Sequence, residues 1–143
     1  MAALNVRYVT VAALLGAGWF PVLLLQRMTR EWLLDDPILN ILCLVAASVI
    51  VALVFRRAIR RSERFTTDLV YAIVVPFVGC LVYLTLWNSV LLIHDLAAGR
   101  DINIHDMLSV YAMGITAVSM SLFITVPYGF ACQYGMKAVS WVE

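Results

Sequence analysis

Four apolar stretches, at about 6–25, 37–55, 66–93 and 107–133, fill most of this 143-residue chain, and each is long enough to cross a bilayer as a helix. A hydrocarbon core about 30 Å thick takes about 20 apolar residues at the helical rise, and inside it every backbone amide and carbonyl must be paired within the protein. Composition agrees. The chain is 64% hydrophobic and 13% charged, whereas soluble domains run at about half and about a quarter. The expected fold is an all-α membrane protein, residues 1–143 forming a single four-helix transmembrane domain in an up-down-up-down antiparallel bundle. The first run continues past Gly16 and Gly18 through Trp19, Phe20 and Leu23, longer than a secretory h-region, so it reads as a retained anchor.

Ten Lys and Arg against nine Asp and Glu leave no global field that would select nucleic acid or an acidic protein. Their placement carries more information. One alternating set of connections holds Arg7, Arg56, Arg57, Arg60, Arg61, Arg64 and Lys137, and the other holds Arg27, Arg30 and Arg100. Because positive residues stay on the cytoplasmic side, this bias predicts a multi-pass protein of the plasma (inner) membrane with both termini cytoplasmic and 56–64 as a cytoplasmic loop. On that orientation Trp19, Trp32 and Trp87 lie toward the outer interface and Trp141 near the inner one, as in an aromatic belt.

Between helices in lipid, small residues decide which faces meet. Ala12 and Gly16, Ser48 and Ala52, and Ala112, Thr116 and Ser119 with Ala117 beside them are therefore expected inside the bundle. Asp36 before Pro37 has the form of a helix cap followed by a proline at the first helical position, and Asp106 is expected to cap the fourth span. Asn40 and Asn88 read as interhelical hydrogen-bonding residues. Cys43, Cys80 and Cys132 fall inside spans without a CxxC pair or a basic neighbour, and read as packing residues.

The candidate binding residues are few. If the second helix continues past the membrane surface, Arg56, Arg60 and Arg64 share one face with Arg57 and Arg61 beside them, a basic stripe suited to anionic lipid headgroups or a partner. Setting orientation is the simpler role for it. Asp68 reads as a surface carboxylate, paired with Arg64 one turn away or favoured by the helix N-terminus. Val75 to Gly79 (VPFVG) and Val126 to Gly129 (VPYG) repeat a proline-aromatic-glycine pattern at similar depth on adjacent spans. Pro76 and Pro127 each remove the amide that would bond the carbonyl four residues earlier, at Ala72 and Phe123. Paired kinks there would open an inner-leaflet groove bounded by Gly79 and Gly129; accommodation by packing is the competing reading. His94-Asp95 and His105-Asp106 at the ends of the third loop have the right donor types for zinc or iron, although their spacing matches no metal motif and solvated loop ends explain them more simply.

No nucleophile-base set, glycine-rich phosphate loop or HExxH pattern occurs. With no such site and no cofactor motif, the sequence favours a non-catalytic integral membrane protein over an enzyme. It would act as an accessory, assembly or immunity/inhibitor subunit that binds a larger membrane partner, with the lipid bilayer as its other contact. The alternative is a homo-oligomeric small channel or transporter with a path between helices 3 and 4. In size and span count alone the chain resembles small multidrug transporters and fluoride channels, but the glutamate that marks the first span of the former has no counterpart here.

Overall fold

The computed structural model describes residues 6–25, 30, 33–61, 64–101, 103–120 and 122–140. Every element along them is a helix: α1 (Val6–Leu24), α2 (Pro37–Arg61), α3 (Phe65–Ala97), α4 (Ile104–Met120) and α5 (Leu122–Ser140). Three of these, α1, α2 and α3, are long and apolar enough to cross a membrane, and a fourth span results if α4 and α5 are taken together. At 33 residues, α3 is about 50 Å long at 1.5 Å per residue, more than a hydrocarbon core requires.

The helix ends follow from local chemistry. Asp36 Oδ1 accepts from the Leu39 amide at 3.1 Å, so Asp36 and Pro37 start α2 as a capped first turn. The last turn of α3 closes on Gly99, whose φ of 66° lies where only glycine sits without strain. Its amide donates to Leu96 O and that of Arg100 to Asp95 O, the paired bonds of a Schellman motif. At the other side of this turn the expected cap is displaced: α4 begins at Ile104, and Asn103, not Asp106, accepts the first free amide, from His105 at 3.1 Å. Asn103 precedes the helix by one residue, where a short polar side chain can reach back.

Residues 56–61, placed in the cytoplasmic connection, are the last turns of α2, so the helix does continue past the apolar run through these arginines. Arg64 starts the next element, with extended backbone at the N-terminus of α3. A basic stripe on one continuous helix therefore ends at Arg61. The fourth apolar run also differs from a single straight span. The axis turns by 83° between Ser119 and Leu122. Thr116 and Ser119 donate to the carbonyls of Ala112 and Ile115 in the turns before the break, as Thr85 does to Leu81 within unbroken α3.

Packing runs around a ring. Along the α1 and α2 contact, a Cβ on Gly16 would stand 2.7 Å from Ser48 Cβ, so the two backbones touch where the small residues were expected to allow it. Farther along, the Tyr8 hydroxyl donates to Ala52 O at 2.8 Å. Between α2 and α3, Cys43, Leu44 and Ala47 pack on Tyr83, Leu84 and Trp87. Next, α3 meets α5 through Phe65 and Phe130, stacked at 5.9 Å. The ring closes where α5 meets α1: Tyr128 donates to Leu15 O at 2.8 Å and stands edge-on to Trp19 at 4.6 Å. Only α4 lies outside it, leaning on α3 through Gly114 against Leu84 and Tyr111 to Thr85. Of its small residues Ala117 is buried, but Ala112, Thr116 and Ser119 are exposed, contrary to expectation. Their positions follow from the bend, which turns α4 away from the ring and leaves one face without a neighbour.

Trp87 is 5% exposed and packs within the α2 and α3 core. Trp32 and Trp141 lie outside the described residues, as do Arg27 and Ser121.

Candidate functional site

The polar residues that matter most are the ones drawn from distant parts of the sequence. Asp68, in the first turn of α3, is 5% exposed, and its Oδ1 accepts from Lys137 Nζ and Gln133 Nε2, both at 2.7 Å. It is not a surface partner of Arg64. Both charges sit where the helix macrodipoles favour them, a carboxylate near an N-terminus and an ammonium near the C-terminus of α5. Lys137 further lies 5.7 Å from the Tyr134 ring. Since Asp68 can only accept, the Gln133 amide is oriented by this bond, leaving its Oε1 buried and without a hydrogen-bond partner among the described residues. The cluster bolts the start of α3 to the end of α5.

One turn along, the two proline-glycine patterns come together differently from the open groove expected of them. Gly129 backs onto α3 so closely that a Cβ there would lie 2.5 Å from Ala72 O and 3.2 Å from Pro76 Cγ. The carbonyl that Pro76 leaves without its helical donor is thus covered by α5, with Ala72 1% exposed. Packing accommodates this kink. Gly79 lies one turn farther, where a Cβ would meet nothing within 4 Å. Pro127 and Phe123 face outward, with Phe123 77% exposed.

Between the ring and α4 lies an apolar cavity of about 120 Å³ lined from all five helices. Its wall includes Gly79, Pro76, Leu84, Ala117, Val118 and Gln133. At the far end of α3, Asn40 bridges α2 to α3: its Nδ2 donates to Asp36 O and Leu33 O, and its Oδ1 accepts from the Tyr83 hydroxyl. Asn40 is thereby the interhelical residue its type suggested. Asn88, one helical turn beyond Leu84 and 3% exposed, has no partner for its Nδ2 among the described residues and lines a second cavity of about 150 Å³ with Asp95, Asp101, Asn103 and Asp106.

The other candidate residues stay apart. Arg56 lies over the Tyr8 ring, 5.0 Å from its centroid, a cation–π contact that ties it to α1. Arg57, Arg61 and Arg64 are exposed, and the Arg60 side chain lies outside what is described. His94 Nδ1 stands 3.6 Å from Asp95 Oδ1, which also meets Arg100 at 3.6 Å. Among the described residues no three His, Cys, Asp or Glu side chains, His105 included, converge to hold a metal. Cys43, Cys80 and Cys132 are free thiols.

The sequence reading missed Gln133 and the roles of Lys137, Tyr8, Tyr83 and Tyr128. Their partners lie 43 to 113 residues away, beyond any local pattern. The only signal was residue type: Lys137 and Asp68 are opposite charges near the same end of neighbouring helices. Comparison with known proteins gives no matching protein-family model, no similar curated protein and no similar solved structure.

Proposed function

We propose that this chain is a four-span protein of the plasma membrane, with α4 and α5 together forming the last span, which acts without catalysis by binding a larger membrane protein. The observation that carries the reading is the position of α4. It packs chiefly on α3, and its Ser109, Ala112, Thr116 and Ser119 face is uncovered. Small side chains allow a second helix to approach closely in lipid. The hydroxyls on this face already donate to their own helix, so neither lipid nor a partner helix would strand a polar group there.

An up-down-up-down arrangement is supported by the order of the contacts. Gly16 meets Ser48 while Tyr8 meets Ala52, and Asn40 meets Tyr83 while Phe55 meets Tyr71. Rising numbers on one helix accompany falling numbers on the next. The excess of Arg at 56–64 supports cytoplasmic termini, and its exposed members, Arg57, Arg61 and Arg64, are open to anionic headgroups or the partner.

Affinity purification in a mild detergent tests the function. A stoichiometric larger membrane protein should co-purify with the wild type and be lost from Ala112→Leu and Thr116→Leu chains that still fold. Recovery of a homodimer alone, with ion flux in liposomes, would instead favour a small channel or transporter, a reading to which the central cavity and the buried Asp68 and Lys137 pair lend support.

A further inference from the structure

We propose that the cavity between the ring and α4 binds a small uncharged amphiphile, a short alkyl chain whose single hydroxyl donates to Gln133 Oε1. The wall is of two kinds. Toward one end of α3 stand Leu84, Ala117 and Val118, all hydrocarbon and 1%, 6% and 6% exposed. Toward the other stand Tyr71 and Gln133, and Ser48 and Thr125 add hydroxyl side chains to the wall. Gln133 is 5% exposed, and its Nε2 is spent on Asp68, which is not part of the wall. The amide nitrogen is thus turned away from the cavity, and Oε1 is the polar atom left on its side. That oxygen has no hydrogen-bond partner among the described residues. It can only accept, so the ligand must bring the donor.

Size and charge limit the occupant further. An apolar cavity of about 150 Å³ takes a molecule such as benzene, so the 120 Å³ here holds about six carbons. The wall follows α3 from Tyr71 to Leu84, about 20 Å at the helical rise, which suits an unbranched chain better than a ring. An anion would face the lone pairs of Oε1, and an ammonium would surrender its hydration for one acceptor. Water satisfies Oε1 but finds no partners at the Leu84 end, where each molecule needs two or more. Entry calls for transient local opening of the bundle, not a standing mouth. The proposal uses the packing alone and is independent of the partner.

Photo-crosslinking of the full chain in detergent tests it, with a diazirine-bearing hexanol as probe and adducts mapped by mass spectrometry. Saturable adducts on Leu84, Ala117 and Val118 are expected. Unlabelled hexanol should displace the probe, whereas the isomeric methyl pentyl ether, which has no hydroxyl to donate, should not at the same concentration. In Gln133→Met the half-saturating concentration should rise about tenfold, the loss of one hydrogen bond to a buried acceptor, while a diazirine-bearing hexane still labels the same residues. Gly79 lies in the wall with nothing within 4 Å of a Cβ, so the side chain of Gly79→Leu fills the space and should abolish labelling by either probe. A folded wild type without saturable adducts on these three residues would leave the cavity to water and overturn the proposal. Equal displacement by the alcohol and the ether, or undiminished labelling in folded Gly79→Leu, would overturn it as well.

Discussion

Replacing glycine by alanine at two neighbouring sites should have opposite effects, because the backbone is pressed against a neighbour at one and stands beside a void at the other. At Gly129 the new Cβ would lie 2.5 Å from Ala72 O, whereas ordinary contacts start at 3.4 Å, so α3 and α5 must separate locally by about 0.9 Å. Overpacking of that kind costs about 1–3 kcal/mol, and the better helix propensity of alanine returns about 1 kcal/mol at most. A net loss of up to about 2 kcal/mol is expected for Gly129→Ala. At Gly79 nothing lies within 4 Å, so Gly79→Ala keeps the propensity gain of about 1 kcal/mol unopposed. The contrast, about 1–3 kcal/mol because the propensity gain is common to both, is readable as the difference in midpoint of a reversible detergent-unfolding titration followed by far-UV circular dichroism. Equal shifts for the two variants would refute the claim that α5 closes on the Pro76 kink while the ring stays open at Gly79.

Lys137→Met removes the ammonium from the buried Asp68 carboxylate and should destabilise by about 3–5 kcal/mol, with most of the loss recovered in the Asp68→Asn, Lys137→Met double variant; a double-mutant cycle in the same titration checks this. Tyr83→Phe strips the hydroxyl donor from buried Asn40 Oδ1 and should cost about 1–3 kcal/mol, against less than that for Tyr111→Phe, whose bond to Thr85 is exposed. Gly99→Ala forces a left-handed conformation on a residue with a Cβ and should cost about 1–2 kcal/mol, measured as a lower melting temperature without loss of helix content.

What could be read from the sequence was whatever depends on near neighbours or on the solvent. Apolar length announced α1, α2 and α3, and Asp36-Pro37 announced the start of α2, because both signals are complete within a few residues. Gly16 and Ser48 were legible as contact residues since close approach in lipid requires small side chains wherever it occurs. Asp68 was not legible. Its nearest basic residue in sequence is Arg64, but burial against α5 gives it Lys137, and only tertiary structure decides between them. The break before Leu122 was hidden for a different reason: hydropathy is blind to direction, so an apolar run bent by 83° reads the same as a straight one. The proline-glycine pairs were visible as a pattern, yet whether a freed carbonyl is opened or covered depends on how near the opposing backbone comes.

The bond between Asp68 and Lys137 also orders events in time. A chain that emerges from its N-terminus delivers the carboxylate with α3 and the ammonium only with the last turn of α5. Until then α1, α2 and α3 carry an acid that lacks this counter-charge, at a position the finished ring seals. The contacts of Asp68 with Gln133 and Lys137 are thus among the last that the chain can complete.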